Sequence, residues 1–477
     1  MRSAAAGRPC AARLRALVAA LATLLAVVTV TAVSAVPAAA KPRPKGSWQS
    51  PTLDGIVQGR PLVVGDIVVV ATENNSLYGL ALTDGHRVWG PRHVGAPVPL
   101  SAVAAANGAA SGCGDIDPLG ITSAPVADIT AHPPRVYAVA EVLGPDHRSP
   151  VHELVGVEST TGRIVVVPTP VDPPAMAHPE LEQQRAALAF ANGTVYVGFG
   201  GLYGDCGPYH GFVVGVHADG SGLGGVFEAA SEPGNTGGAV WAPTGLTFDA
   251  SGRLFVATGN SQRPPTGNAI DNSDAVVRLD PATGAVLDVF QPSSWRDDNA
   301  RDADLGSTAP VLLADGHLFE VGKQNRAYLL DPAGLGGADH PTPLASLGLC
   351  SAYGANATLG TAVYVACTGG VQQVLVDTTP PRLRHGWTTS SGADGPVTVG
   401  AGLVWSVNRS AGMLDGLDPT TGHARVTYRL SLDPSQHFPV VTVAPGEVLV
   451  ESARRIVAFP SSAHGTTTTS LTTSTGA

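Results

Sequence analysis

Short apolar runs recur along the chain from residue 65 to residue 460, and turns rich in Gly, Asp and Thr separate them. The clearest unit contains the runs Arg253–Ala257 and Ala275–Leu279 and ends in the turn Asp280–Gly284, with the sequence Asp-Pro-Ala-Thr-Gly. Alternating or β-branched runs are typical of strands on a half-buried sheet. The Asp-x-x-Thr-Gly element predicts a hairpin turn, in which Asp accepts hydrogen bonds from local amides and Gly takes a positive φ.

Copies of this unit can be followed through the chain, although the later copies are looser. No copy could bury its apolar face alone, so the units must stack on one another, which favours a β-propeller. We expect an all-β fold of eight blades, with seven as the alternative, each a four-stranded antiparallel sheet. A string of β-sandwich domains is disfavoured because interdomain linkers are missing. The first long run of each copy is Gly65–Ala71, Val136–Ala140, Thr194–Val197, Arg253–Ala257, His317–Val321, Ala362–Ala366, Leu403–Val407 and Glu447–Val450.

The last copy is incomplete. It contains Glu447–Val450 and Arg455–Phe459 and then stops, whereas the segment Ser47–Pro51, with its Trp, has no unit before it. We therefore expect the N-terminal strand to complete the final blade and close the ring. Closure would hide the open strand edges that otherwise promote aggregation.

The N-terminus has the pattern of a secretory signal. Four arginines precede an apolar run over residues 16–36, and an Ala-x-Ala cleavage site follows at residues 38–40. An uncleaved membrane anchor is the alternative, and it would be the chain's membrane contact. The expected organisation is a signal peptide at 1–40, a linker at 41–46, the propeller at 47–460 and a disordered Ser/Thr-rich tail at 461–477. We expect a secreted or extracytoplasmic protein, with the cell surface as a further possibility.

Four cysteines remain after removal of the signal: Cys113, Cys206, Cys350 and Cys367. An even number in an exported chain predicts disulfides, and three pairings are formally open. Cys350 and Cys367 flank one short unit and could join adjacent strands, and Cys113 with Cys206 would then close a long loop. A zinc site is disfavoured because the chain has no C-x-x-C pair.

The charge argues against a nucleic-acid partner. The formal net charge is −10, charged residues make up 14% of the chain, and no basic stripe follows the first 50 residues. Moderate acidity favours solubility, and we expect a monomer with an unknown ligand or protein partner.

The segment Leu77–Trp89 resembles the tryptophan-docking repeat of PQQ-repeat (quinoprotein alcohol dehydrogenase-like) propellers. Gly112–Val126, Tyr203–Gly211 and Asp302–Ser307 resemble an extracytoplasmic branch of that family. Its enzymes have adjacent cysteines under the quinone, a calcium held by carboxylate and amide, and a catalytic Asp. This chain lacks the adjacent cysteines. The resemblance therefore implies a ligand- or protein-binding scaffold rather than an enzyme. The alternative is a PQQ-dependent quinoprotein dehydrogenase that oxidises alcohols or sugars, with PQQ and calcium as its cofactors.

Candidate ligand-binding residues lie in two segments that enter or interrupt the repeats. Asp205, Tyr209 and His210 lie between two strands of one unit, where loop residues could line a pocket. Trp241 could stack on a planar ligand, although such a residue more often fills a gap between blades. The alternative for the first segment is a structural loop anchored by its cysteine.

Asp297, Asp302 and Asp304 are weak metal candidates, because a hard cation such as calcium needs several oxygen ligands. The alternative is a loop in which Arg296 and Arg301 neutralise these acids. No catalytic residue is predicted, since the chain has no H-E-x-x-H, G-x-S-x-G or phosphate-binding glycine loop.

Overall fold

The computed structural model describes residues 46–107, 113–266, 269–338, 341–389, 391–392 and 395–461. These residues form eight antiparallel sheets, and in six of them the four strands follow one another in sequence order. The all-β, eight-bladed propeller is therefore confirmed, and seven blades is wrong. The predicted signal peptide, the linker before Gly46 and the tail after Ser461 lie outside the described residues.

The strands are short and evenly distributed. The first described strand is β1 (Trp48–Gln49). Blade 1 contains β2 (Leu62–Val64), β3 (Ile67–Thr72), β4 (Ser76–Ala81) and β5 (Arg87–His93). Blade 2 contains β6 (Val126–Asp128), β7 (Arg135–Leu143), β8 (Pro150–Glu158) and β9 (Ile164–Pro170). Blade 3 contains β10 (Glu182–Gln183), β11 (Ala189–Ala191), β12 (Thr194–Gly201), β13 (Phe212–His217) and β14 (Leu223–Glu228).

Blade 4 contains β15 (Thr247–Phe248), β16 (Leu254–Ala257), β17 (Val276–Leu279) and β18 (Val286–Phe290). Blade 5 contains β19 (Val311–Leu312), β20 (Leu318–Val321), β21 (Arg326–Leu330) and β22 (Ala345–Gly348). Blade 6 contains β23 (Ala357–Leu359), β24 (Ala362–Cys367), β25 (Gly370–Thr378) and β26 (Pro381–Thr388).

Blade 7 contains β27 (Thr398–Gly400), β28 (Leu403–Asn408), β29 (Met413–Leu417) and β30 (Ala424–Arg429). Blade 8 contains β31 (Thr442–Ala444), β32 (Glu447–Glu451) and β33 (Ile456–Pro460), together with β1. The described helices are α1 (Leu100–Asn107) and α2 (Trp295–Asn299), with 3₁₀ turns at Pro179–Leu181 and Leu305–Ser307. None of these helices has the length and hydropathy that a membrane crossing requires.

The first strand given for each blade lies nearest the axis, except in blade 3, where this strand is β11. First strands of adjacent blades contact one another, as β31 does with β2 and β2 does with β6. The connections between blades and the turns between second and third strands therefore lie on one face of the ring, which we call the loop face. The tight turns between first and second strands, and between third and fourth strands, lie on the opposite face.

The ring is closed by the N-terminal strand, as predicted. In β1, Trp48 pairs with Ala458 of β33 and Gln49 pairs with Val457, in antiparallel register. The β1 strand thus takes the outermost position of blade 8, while β31 takes the innermost position. The first and last strands of the propeller share one sheet.

Tryptophans of outer strands dock on the turn of the next blade. Trp89 lies against Gly162, where a Cβ would overlap its ring, and its Nε1 donates a hydrogen bond to Ser159 O at 2.9 Å. Trp48 makes the same arrangement over Gly85, and Trp387 over Gly422. The resemblance of Leu77–Trp89 to a tryptophan-docking repeat is thus matched by contacts in three places.

The Asp-x-x-Thr-Gly turns have the predicted chemistry. Asp280 Oδ1 accepts hydrogen bonds from the amides of Ala282 and Thr283, each at 2.9 Å, and Gly284 has φ +77°. The outer strand of the preceding blade docks on such a turn, because Gly has no side chain to block its approach.

The described residues contain two disulfides, Cys113–Cys206 and Cys350–Cys367, with Cα separations of 5.8 and 5.6 Å. Of the three possible pairings, this is the one that the short spacing of Cys350 and Cys367 favoured. Cys350–Cys367 joins the approach to blade 6 to the end of β24, and Cys113–Cys206 joins two loop-face segments of different blades.

Candidate ligand site on the loop face

Lys323 lies at the centre of the best-defined polar site on the loop face. It follows β20 in blade 5, and its Nζ lies 5.5 Å from the ring centroid of Trp241 and 5.9 Å from that of Tyr353. Trp241 comes from the connection between blades 3 and 4. The ammonium is therefore held between aromatic rings of two separate blade connections, a geometry in which cation–π attraction operates.

Two carboxylates hold the ammonium in place. Lys323 Nζ lies 3.0 Å from Asp302 Oδ1 and forms an ion pair with Asp304 Oδ2. Asp304 is buried, and its Oδ1 accepts a hydrogen bond from the Asn260 amide at 2.7 Å. Burial lowers the pKa of Lys323, but the charges and hydrogen bonds of Asp304 and Asp302 outweigh it and raise that pKa. Lys323 is thus a cation, and one of its three N–H donors remains after these two pairs.

Trp241 adds a second donor. Its ring is half-buried, and its Nε1 is buried without an acceptor among the described residues. A buried donor without an acceptor costs free energy, so such groups usually point to a partner that protein atoms do not supply. A Cβ placed on Gly259 would lie 3.4 Å from this Nε1 and 2.9 Å from Asp304 Oδ1, which puts the indole N–H beside the Asp304 carboxyl. The site therefore combines an aromatic surface, an indole donor and an ammonium donor.

Tyr209 is a buried neighbour of Trp241 in the same loop-face region. Its side chain is 1% exposed, and its hydroxyl donates a hydrogen bond to Asp205 Oδ1 at 2.8 Å. Burial raises the pKa of Tyr209, and the charges of Asp205, Asp304 and Glu182 raise it further. Of the predicted residues, Tyr209 and Trp241 belong to one apolar cluster, and Asp205 orients Tyr209.

His210 faces a different set of groups. Its amide donates a hydrogen bond to Glu182 Oε1 at 2.7 Å, and its Nδ1 lies 3.3 Å from Glu228 Oε1. Nothing in these contacts brings His210 to Lys323. These contacts join the His210 segment to β10 and β14 of blade 3.

The Cys113–Cys206 disulfide covers one side of this region. Cys113 packs with Tyr209, Leu181 and Trp241 in the same apolar cluster, and the Gly114 amide donates a hydrogen bond to Tyr203 O at 3.0 Å. The connection between blades 1 and 2 is therefore tied to the loop of blade 3 over the site.

The three metal candidates do not converge on a common point. Asp297 is exposed on α2, whereas Asp302 and Asp304 both pair with Lys323. Across the described ranges, no group of three or more His, Cys, Asp or Glu side chains is arranged to hold a metal ion. Arg301 pairs with Asp298, at 3.0 Å from Nη2 to Oδ1, so part of this loop is salt-bridged as the alternative supposed.

Lys323 was not predicted as a site residue, although the sequence contains a signal for it. Lysine occurs only at Lys41, Lys45 and Lys323, so the propeller region contains a single lysine in a chain that otherwise uses arginine. A residue type that the chain otherwise avoids is a sign of a specific requirement. The ammonium of Lys323 pairs with two carboxylates and lies close to two aromatic rings at once.

A second buried polar group that the sequence did not indicate lies between blades 2 and 3. His152 is completely buried, with Nδ1 2.7 Å from Asp172 Oδ1 and Nε2 3.8 Å from Glu141 Oε2. Burial raises the pKa of Glu141 to about 8, and neither of its carboxyl oxygens accepts a hydrogen bond from a described residue. Strand periodicity cannot reveal such a group, because His152 and Glu141 lie within otherwise regular strands.

A cavity of about 260 Å³ lies along the axis beside blades 4 to 6. First strands and the segments before them form its wall, and its polar lining includes Thr244, Thr247, Asn356 and Thr358.

No protein-family model matches the sequence, and no curated protein is similar to it in sequence. Solved structures do match in fold. A quinohaemoprotein alcohol dehydrogenase from Pseudomonas putida HK5 superimposes with TM-score 0.58 at 13% identity, covering 87% of this chain and 75% of that one. The quinohaemoprotein alcohol dehydrogenase from Comamonas testosteroni gives 0.56 at 16% identity, with 87% and 76% covered. BamB from Moraxella catarrhalis gives 0.52 at 12% identity, with 87% and 98% covered. At these identities the likeness establishes the propeller fold that this chain shares with quinoprotein dehydrogenases and BamB.

Proposed function

We propose that this protein is an exported binding propeller that takes a small, planar, carbonyl-bearing ligand at Lys323 and Trp241 on the loop face. The observation that carries the proposal is the pairing of a spare ammonium donor with an unpartnered indole N–H beside an aromatic surface. A carbonyl oxygen accepts from both kinds of donor, and a planar ring can pack on Trp241. A small ligand fits better than a protein partner, because the indole donor is buried.

Ligand binding to purified protein tests this proposal, with pyrroloquinoline quinone (PQQ) as a planar, carbonyl-bearing probe and tryptophan fluorescence as the readout. The Trp241→Phe variant keeps a ring and removes the N–H, and we expect it to bind about tenfold more weakly, as the loss of one buried hydrogen bond predicts. Trp387→Phe is the matched control, because it loses an N–H that donates to Pro419 O in a blade contact. Equal affinity of Trp241→Phe and wild type would refute the proposal.

The second candidate function is a PQQ-dependent dehydrogenase, which the buried Asp304 carboxyl beside Trp241 and Lys323 favours. The aromatic surface and donors suit a planar quinone. The donor set does not suit calcium, because Asp304 Oδ1 accepts from Asn260 and Oδ2 pairs with Lys323. Reconstitution with PQQ and Ca²⁺ separates the two functions: we expect PQQ binding without reduction of an electron-acceptor dye when alcohols or sugars are added. Dye reduction would favour the dehydrogenase.

Export belongs to the same proposal. The leader pattern at residues 1–40 and the two disulfides support an oxidising, extracytoplasmic location. Mass spectrometry of the N-terminus after secretion tests it, and we expect a mature chain that begins at Lys41. A chain that retains its leader in the membrane fraction would favour the uncleaved anchor instead.

A further inference from the structure

Two arginines lie in different blade connections, each shortly before an innermost strand. Arg60 lies one residue before Pro61 and the innermost strand β2, and its side chain makes no hydrogen bond or ion pair with any described residue. Arg185 precedes β11 and is 8% exposed, and among the described residues its side chain donates one hydrogen bond, from Nη1 to Thr122 O at 3.2 Å. A guanidinium has five N–H donors, so both side chains hold unused donors.

The segments that carry these arginines touch each other. Gly59, the neighbour of Arg60, packs directly on the backbone of Ser123 and Ala124, which follow the carbonyl that Arg185 contacts. Burial lowers the pKa of both arginines, and the charge of the Glu451 carboxyl, at the end of β32, partly opposes that shift in each. Arg60, Arg185 and Glu451 therefore form one group, which we call the axial arginine cluster.

Several polar atoms beside the axial arginine cluster are buried and unpartnered within the described part of the chain. Glu451 Oε1 accepts a hydrogen bond from the Val440 amide at 2.9 Å, whereas Glu451 Oε2 has no partner. Ser123 Oγ, Gln58 Oε1 and Gln184 Oε1 are also without one, and each belongs to a segment that carries or contacts one of the arginines. Native proteins leave few such atoms unsatisfied. Of these atoms only the Ser123 hydroxyl can also donate a hydrogen bond, so it is the one that can serve an anion beside the two underused guanidinium groups.

The charges at this place favour an anion. The two arginines carry two positive charges, and burial raises the pKa of Glu451 to about 7, so its opposing negative charge is incomplete near neutral pH. Asp115 also acts on Arg185, but it is already paired with His437.

Tyr203 stacks on His437, with ring centroids 5.4 Å apart, so these side chains bridge segments of blade 3 and of the connection between blades 7 and 8.

We propose that the axial arginine cluster binds an oxyanion, the carboxylate or phosphate group of a small ligand, between Arg60 and Arg185. Guanidinium groups bind such groups through paired, charge-assisted hydrogen bonds. The proposal goes beyond the planar-ligand site, because the two sites share no residue. The Ser123 hydroxyl can supply a further donor to the same anion.

Calorimetric titration of the purified, disulfide-intact protein with inorganic phosphate and, separately, with citrate tests the proposal at low ionic strength. We expect saturable binding, weakened at least about tenfold by Arg60→Gln, because a charge-assisted contact is lost. Arg60 has no hydrogen bonds to lose within the described residues, so its variant should melt at the wild-type temperature. Arg185→Lys keeps the positive charge and removes the planar fork, and we expect it to weaken binding too.

Two further variants complete the design. Glu451→Gln keeps the acceptor for Val440 and removes the opposing charge, so we expect tighter binding. Arg409→Gln is the matched control, since Arg409 also lies on the loop face after β28 but outside the cluster, and we expect no change. Trp241→Phe should bind phosphate as wild type does, which separates this proposal from the planar-ligand site. Absence of saturable binding of both anions, or equal affinity of Arg60→Gln and wild type, would overturn the oxyanion site.

Discussion

At the scale of single residues, glycine and tryptophan decide how neighbouring blades meet. The glycine of each docking turn has a positive φ and also leaves room for the ring of an outer-strand tryptophan, as Gly162 does for Trp89. The sequence contained this information, because the Asp-x-x-Thr-Gly element and the preceding Trp are both visible in it. It did not contain the partners of Lys323, which come from segments 82 and 19 residues earlier in the chain, at Trp241 and Asp304.

Gly162→Ala is expected to destabilise the fold more than Gly65→Ala. The two glycines have similar φ angles, +64° and +59°, so both substitutions carry the same backbone strain. A Cβ on Gly162 would overlap the Trp89 ring, whereas a Cβ on Gly65 meets nothing within 4 Å. We expect an additional loss of about 1–3 kcal/mol in the free energy of unfolding for Gly162→Ala, measured by denaturant titration. Equal losses in the two variants would show that docking contributes nothing.

Glu141 is expected to make the protein less stable as pH rises. Its folded-state pKa of about 8 lies above the ordinary value of 4.5, so the folded chain keeps a proton that the unfolded chain releases. The contribution is present below about pH 4.5 and is lost as pH rises through about 8. His152, whose net pKa is raised despite its burial because of Asp172 and Glu141, changes stability in the same direction.

Glu141→Gln should therefore flatten the dependence of unfolding free energy on pH between about 5 and about 8, by up to a few kcal/mol. Glu232→Gln serves as the control, because Glu232 is exposed in the connection between blades 3 and 4. Denaturant titrations over this pH range measure the effect. A slope unchanged from wild type would mean that Glu141 is ionised in the folded protein.

At the scale of elements, strands were predictable and the blade connections were not. The predicted runs Arg253–Ala257 and Ala275–Leu279 correspond to β16 and β17, because a two-residue alternation is enough to specify a half-buried strand. The helix α1 and the extra strand β10 were not predicted. Both lie in loop-face connections, where the fold is set by contacts with other blades rather than by local periodicity. The candidate site lies in these connections, which explains why its composition was only partly foreseen.

The two disulfides are expected to act on different elements. Replacing Cys113 and Cys206 by Ala should release the tie between the blade 1–2 connection and the blade 3 loop, so amide hydrogen exchange at Gly114 and Asp205 should accelerate. Replacing Cys350 and Cys367 by Ala is the control for loss of a disulfide, since it opens a tie at blade 6. Unchanged exchange at Gly114 and Asp205 in the first variant would mean that hydrogen bonds alone hold the blade 1–2 connection against the blade 3 loop.

At the scale of the whole molecule, the number of blades and the closure of the ring followed from counting copies and from the unfinished last unit. The candidate ligand site could not be predicted in this way, because its residues come from segments of several blades that meet only in the folded ring. Trp241 was singled out as a ring on a blade connection, and the structure places it beside Lys323. Its ammonium partner could not be located without the spatial order of the blades.

Removal of the residues up to Gln49 is expected to destabilise the ring and to cause association. The truncation deletes β1, exposes the edge of β33 and removes the Trp48 hydrogen bond to Leu82 O. We expect a lower melting temperature and concentration-dependent oligomers by light scattering. Trp89→Ala, which breaks a docking contact inside the continuous chain, should lower the melting temperature and leave the protein monomeric. A truncated protein that stays monomeric would show that the exposed edge of β33 does not cause association.

The pairing of Trp48 with Ala458 also determines how freely the order of the blades in the gene can be changed. Because strands from the two ends of the propeller sequence are neighbours in one sheet, a short peptide can join them without distorting either. The same circle of blades can then be cut at another connection on the loop face, and a circularly permuted gene should encode the same ring with its ends at a different blade.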